Sequence, residues 1–376
     1  MSPERATRRV LIVEPRVSGH LLVYVRLLAQ RSLDRGDQVT LALCQDAFDS
    51  QEFAFHLAAL APSVTIVVAV LPLTGRRLTE MARTANADVV VVPHGDELAA
   101  RLGMPLRSTP KISTRLLVMR DPRWDQGQGG GLAMSAKSRL KLMLLRRASR
   151  RRRVDLVWLR GPLAEAVPGE VHVVDPFIAD GPTIDIVRAG ESLRETLPQP
   201  SAFWFGVTGA VSRRKNLDLV VASLLEVKQS DPTLDVGLAV VGQIDDDVQQ
   251  MFLEGQATLD RYGVHTWFED RMLSNRQMND IVAALDAVVM AYSTSAPNST
   301  LGKAYVLGTT IISSGSTTFQ QYAEAVGGET AALDMAELAD AMRRAILRRG
   351  REMAVHPEAL ASEAFADGLL APEMNT

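Results

Sequence analysis

The chain holds a single cysteine in 376 residues, which excludes an internal disulfide. Cys44 ends the apolar run VTLALC, so it reads as a buried core thiol rather than a nucleophile, and its isolation points to a reducing, cytoplasmic setting. Excess positive charge is missing too. A formal charge of -3 denies a general nucleic-acid binder the field that phosphate neutralisation needs. No apolar run approaches the roughly 18 residues of a membrane-spanning helix, and the short run before Glu14 and Pro15 is too brief for the core of a signal peptide. Cysteine and histidine clusters with zinc spacing are absent, as is a DxD-type pair on a suggestive loop. Asp245, Asp246 and Asp247 read as acids that open a helix and complement its dipole, so no metal site is expected.

What is present alternates. RVLIVEP, VSGHLLVYVRLLAQRSLDRG and DQVTLALC read as strand, helix and strand, and the rhythm continues through VTIVVAV, TEMARTAN, ADVVVVPHG and RLLVMRD. Continuous valine-rich and leucine-rich strands suit a parallel sheet covered on both faces. The rhythm breaks between Pro122 and Arg153, resumes in VDLVWLRG and EVHVVDPF, and gives way to a polar, proline-containing stretch from Ala179 to Ser201 that reads as a connection between domains. It restarts with AFWFGVTG and runs to MAELADAMRRAILRRG. Two doubly wound α/β domains are expected, each binding ligands beyond the carboxyl ends of its strands.

Two segments stand where such ligands bind. YSTSAPNSTLGKAYVLG crosses a hydroxyl-rich loop into a helix at Asn298, Ser299, Thr300, Leu301, Gly302 and Lys303. Free N–H groups there suit a phosphate, while simple capping by Asn298 or Ser299 explains the same residues without a ligand. GVTGAVSRRKNLDLV leaves a strand through Gly206 and Gly209 and presents Arg213, Arg214 and Lys215 before a helix.

In combination these segments resemble the retaining glycosyltransferases of the GT-B fold, the group 1 family that includes sucrose synthases and bacterial mannosyltransferases. Gly209 followed six residues later by Lys215 is similar to the family's phosphate-binding opening. FEDRMLSNRQMNDIVAALDAVVMAYST, which contains Met272, resembles the run from the base-contacting loop to the donor loop, and VEPRVSGHLLVYVRLL resembles the first glycine loop and helix. The family's two signature glutamates are replaced here by Ser295 and Lys303.

The resemblance implies a GT-B architecture of two Rossmann-like domains facing a central cleft. Residues 1–185 would form the acceptor side, 186–355 would bind the nucleotide sugar, and 356–376 would form a helix crossing back. It implies transfer of a sugar from a nucleotide diphosphate donor to a glycan, lipid-linked or small-molecule acceptor, without metal or cofactor. Lys215 with Arg213 would offset charge on the departing diphosphate. His94 would lie near the sugar, and Glu14, at a strand's carboxyl end, is the carboxylate for acceptor binding or base work. Gly209, Arg214, Met272 and the run Asn298 to Lys303 would hold the donor; Gly19, His20 and Arg120 lie on the acceptor side. A catalytically silent homologue serving as a scaffold, or a sugar-nucleotide epimerase, is the alternative.

From Gln126 to Val154 the chain has no acidic residue. A helix there would align Arg139, Arg146, Arg150 and Arg153 in one stripe, suited to peripheral association with an anionic membrane over 137–153. The competing reading is a solvated helix packed by its apolar face.

Overall fold

A computed structural model describes residues 7–17, 21–125, 136–161, 163, 167–176, 183–292, 298–350 and 362–371. Among the sites anticipated above, Gly19, His20 and Ser295 lie outside the described residues.

The chain divides into two compact units. The first carries a seven-stranded sheet of β1 (Arg9–Glu14), β2 (Gln38–Leu43), β3 (Thr65–Val68), β4 (Val89–Val92), β5 (Ser113–Val118), β6 (Val154–Arg160) and β7 (Val171–Val174), in the order β3-β2-β1-β4-β5-β6-β7. The second carries β8 (Phe203–Thr208), β9 (Val236–Gly242), β10 (His265–Asp270), β11 (Ala287–Ala291), β12 (Thr310–Ser314) and β13 (Glu329–Ala331), in the order β10-β9-β8-β11-β12-β13. Every pairing between these strands is parallel.

Parallel strands need crossovers, and helices supply them on both faces, so the central strands lose contact with water entirely. Val10 to Val13 of β1, all of β4 and all of β8 are buried. In each sheet the chain reverses its direction of winding once, between β1 and β4 in the first and between β8 and β11 in the second. Those two switch points are where strand ends part and leave room for a ligand.

Two local outcomes differ from the sequence reading. The stretch taken as a connection contains a helix, Thr183–Arg194, in the second unit. It packs on the helix Asn275–Ala284 so closely that a Cβ on Gly190 would lie 2.5 Å from the Cβ of Ala283, beside buried Ile186 and part-buried Leu193. The basic segment forms the helix Ala136–Ser149, which ends before Arg150 and Arg153, so the expected stripe of four arginines is not formed; it buries Leu142, Leu145 and Ala148 and leaves Leu140 and Met143 exposed among Arg139, Arg146 and Arg147. Cys44 is buried, as its apolar run implied.

The helix Ser362–Leu370 belongs to the first unit. Phe365 packs on Tyr24, ring centroids 4.8 Å apart, and Asp367 accepts from Arg31 at 2.6 and 2.8 Å and pairs with Arg35. The aromatic anchor is fully buried, so Phe365→Ala should cost about 3–5 kcal/mol through lost transfer energy and the cavity left behind. Urea unfolding checks this; an unchanged midpoint would show that the terminal helix adds nothing to the unit it covers.

Candidate functional site

The second unit's switch point gathers the residues singled out around Lys215. β8 ends at Thr208, and Gly209 follows with φ +87°, a conformation that a side chain would strain. Gly242, at the end of β9, packs so tightly on it that a Cβ there would fall 2.0 Å from the Gly209 carbonyl oxygen. A single 3₁₀ turn, Arg213–Lys215, comes next, and Asn216 (φ 43°) starts the helix Leu217–Ser230 while donating its side-chain amide to the Ala291 carbonyl at 2.9 Å. That bond ties the loop after β8 to the end of β11.

A 3₁₀ turn advances about 120° per residue, so the three adjacent cations part company. Lys215 turns inward: it is 4% exposed, and its Nζ donates to the Thr208 carbonyl and lies 5.9 Å from the Tyr292 ring centroid. A Cβ on Gly209 would sit 3.9 Å from this Nζ and 3.7 Å from the hydroxyl of Thr300, which places all three at one point. Burial, reinforced by the nearby charge of Arg214, pulls the lysine pKa down to about 7. Among the described residues no carboxylate pairs with it. Arg214 is exposed and its guanidinium has no hydrogen bond or ion pair there. Arg213 does not join them; it is exposed and paired with Asp247 on the helix Asp246–Arg261.

The donor-loop helix, Ser299–Leu307, meets this point differently from the expectation of free amides. Asn298 caps it, its Oδ1 accepting from the N–H of Thr300 at 2.9 Å and of Leu301 at 3.3 Å, while the Gly302 N–H bonds to the Asn298 carbonyl at 3.2 Å. The carboxamide is itself oriented by donation to the Tyr292 hydroxyl at 2.5 Å. A ligand would reach the Thr300 and Leu301 amides only by displacing Asn298. The Thr300 hydroxyl lies 3.3 Å from both the hydroxyl and the carbonyl oxygen of Thr208. Leu301 is core, Ser299 is exposed, and Met272 is exposed in the loop after β10.

Lys303 points elsewhere. It is 4% exposed, and its Nζ donates to the side-chain oxygens of Asn275, at 2.6 Å, and Asn279. These two asparagines, like Tyr292 and Asn216, were not singled out from the sequence, because contacts across 24 and 28 residues leave no local pattern.

The first unit's switch point holds a second set. Glu14 ends β1 and is fully buried; one carboxylate oxygen accepts from the Arg16 N–H at 3.1 Å, the backbone N–H of His94 also favours the carboxylate, and the second oxygen makes no close hydrogen bond among the described residues. Desolvation raises its pKa to about 8, so at neutral pH the carboxyl is mainly protonated. His94 follows β4 half-buried, and burial together with Arg16 and Arg120 lowers its pKa despite Asp96 and Glu97, leaving the ring neutral. Arg120 is exposed; its backbone N–H donates to buried Asp96 at 3.2 Å, beside that of Met119 at 2.8 Å and Lys141 Nζ at 3.0 Å. Asp96 was missed as a site residue: an acid at the start of a helix reads first as a partner of the dipole.

Among the described residues no group of three metal-ligating side chains occurs. No family profile matches the chain, and no curated protein matches it. Solved structures do. HepE of Anabaena, determined in complex with UDP, is 15% identical, with TM-score 0.64 over 96% of this chain and 97% of its own. Sucrose-phosphate synthase of Thermosynechococcus elongatus is 13% identical, with TM-score 0.61 over 96% and 93%. The catalytic domain of starch synthase IV from Arabidopsis thaliana, bound to ADP and acarbose, is 11% identical, with TM-score 0.56 over 98% and 96%. At such identities the likeness is one of architecture: the chain has the GT-B fold.

Proposed function

We propose that this protein is a glycosyltransferase that takes a sugar from a nucleotide diphosphate donor. The observation that carries it is Lys215, a buried lysine at the β8–β11 switch point that has no carboxylate partner among the described residues, where Arg214 beside it is likewise unpaired. A lone buried ammonium is costly unless an anion offsets it, and a diphosphate supplies that anion. The solved structures of the same fold support the reading, since HepE holds UDP and the starch synthase domain holds ADP.

In this reading a bound diphosphate draws Lys215 into its charged form, and Lys215 and Arg214 offset the charge that builds on the leaving group. A buried lysine and an arginine beside it would supply the positive charge that a divalent ion supplies elsewhere, which supports transfer without metal. Retention of configuration rests on the family resemblance alone and is checked by the anomeric coupling constant of the transferred sugar. Glu14 and the neutral His94 are assigned to the acceptor side, where a buried, mainly protonated carboxyl and an uncharged ring suit a sugar hydroxyl. A silent homologue remains the second reading, favoured by the replaced glutamates; it would bind nucleotide and transfer nothing from any donor.

The basic helix supports peripheral association with an anionic membrane, since Leu140 and Met143 stand exposed among arginines. Cosedimentation with phosphatidylglycerol vesicles at low salt, lost on raising salt and in Met143→Glu with Arg146→Glu, checks it; absence of binding at low salt removes the membrane from the proposal.

Calorimetry against UDP, GDP, ADP, TDP and CMP tests the donor site. One diphosphate should bind and Lys215→Ala should weaken it about tenfold or more, the loss expected for a charged hydrogen bond. Because protonated Lys215 is the binding form, affinity should fall about tenfold between pH 6.5 and 8.5 in the native chain and stay flat in the variant. Equal affinities in the two proteins would remove Lys215 from the site.

Glu14 gives a test that needs no ligand. Its folded pKa lies above the carboxylate value of 4.5, so the folded chain binds more protons than the unfolded chain between about pH 4.5 and 8, and stability is lost as pH rises through that window. Its limiting slope is about 1.4 kcal/mol per pH unit. Urea unfolding from pH 5 to 8.5 should show this slope reduced in Glu14→Gln; identical slopes would mean that Glu14 ionises normally.

A further inference from the structure

The loop that follows the helix Asp96–Gly103 holds a leucine in an unfavourable conformation and presents it to water. Leu106 has φ 59°, in the left-handed region where its Cβ is crowded and where a turn ordinarily places glycine or asparagine. Among the described residues it is the sole apolar side chain at positive φ, and it is also the most exposed large apolar side chain. Strain of this kind persists where a residue has a task, and packing is not the task here. Met104 and Arg107 beside it are exposed as well.

This tip is fixed beside the basic helix Ala136–Ser149. A Cβ on Gly103 would fall 2.0 Å from the Leu144 carbonyl oxygen, and Arg151 donates to the Met104 carbonyl at 3.2 Å. On that helix a turn of about 100° per residue sets Leu140, Met143 and Arg147 within about 60° of one another, opposite buried Ser138, Leu142 and Leu145, with Arg139 and Arg146 to one side. No Asp or Glu occurs from Leu98 to Arg120 or from Gln126 to Val154. The charges that the tip and the helix present are therefore all positive, and three large apolar side chains, Leu106, Leu140 and Met143, stand exposed among them.

We propose that Met104–Arg107 is a membrane wedge, in which Leu106 enters the acyl layer of an anionic bilayer while Arg107 and the arginines of the neighbouring helix meet the lipid phosphates. It rests on the membrane association proposed for the basic helix, and it adds the residue that anchors. Charge and apolar exposure select the occupant together. Nucleic acid would satisfy the arginines, but a row of phosphates offers Leu106, Leu140 and Met143 nothing apolar. A fluid acyl layer receives apolar side chains at any spacing, and arginines beside them lie at the level of the headgroups.

Leu106→Gly separates this role from a structural one. Glycine relieves the left-handed conformation, so the thermal midpoint should not fall, while loss of the side chain should weaken binding of the full chain to vesicles of phosphatidylglycerol and phosphatidylcholine at low salt at least about tenfold. The salt dependence of that binding should stay as it was, since no charge is removed. A polarity-sensitive fluorophore on Leu106→Cys, selective because Cys44 is buried, should shift to the blue on the same vesicles. Native binding that Leu106→Gly matches, with a fluorophore that stays in water, overturns the wedge and leaves the basic helix as the membrane contact. Weakened binding together with a lowered thermal midpoint marks Leu106 as structural and overturns it too. No binding of the native chain at low salt overturns both the wedge and the membrane association of the helix; binding to poly(U) instead, equal in Leu106→Gly, would assign the arginines to nucleic acid.

Discussion

A lysine buried at the end of a parallel strand, with no carboxylate paired to it among the described residues, governs what the second unit can do. Its burial follows from the sheet: β8 is covered on both faces, so whatever crosses its carboxyl end is carried out of water with it. The turn Arg213–Lys215 decides which of three cations goes inward, and Asn216 holds that turn against the end of β11. The glycines follow from the same constraint. Gly209 adopts a positive φ to let the loop turn over Lys215, and Gly242 leaves the Gly209 carbonyl room to lie flat against the end of β9.

The parts of this arrangement that were legible in the sequence are those set by local pattern. Runs such as VLIV, VVVV and FWFGVT announced strands because a doubly covered strand is dominated by apolar residues, and Gly209 with Lys215 marked the loop after β8 because a spacing of six residues is local. What escaped depends on direction or on distance. RRK reads as one basic edge, yet a 3₁₀ turn sends Arg213 to Asp247 and Lys215 to Thr208. Asn298 reads equally as cap or as neighbour of a phosphate, and only the position of Tyr292 shows which way its carboxamide faces. The helix Thr183–Arg194 was hidden because Gly190, a poor helix former, is what lets it approach Ala283.

Lys303 escaped the sequence reading in the same way. A carboxylate in its place would meet the carboxamides of Asn275 and Asn279 as an acceptor; the ammonium meets their oxygens as a donor. With Lys303 the asparagines present oxygen inward, and their orientation is set by the cation rather than by a ligand. The charge of Lys303 is therefore met by partners on another helix, apart from Lys215.

The two switch points use one physical device with opposite sign. Desolvation pushes Glu14 up toward its neutral form and Lys215 down toward its neutral form, so each unit stores a group whose ionised state is favoured only when a polar partner arrives. For Lys215 such a partner would be an anion, and for Glu14 a hydroxyl or a cation able to stabilise carboxylate. A donor bearing a diphosphate and an acceptor bearing a hydroxyl are the pair of partners that this division suits. The structural reason both groups sit at switch points is the same as the reason they are desolvated: strand ends there diverge enough to admit a ligand, while the strands behind them remain among the most deeply buried parts of each sheet.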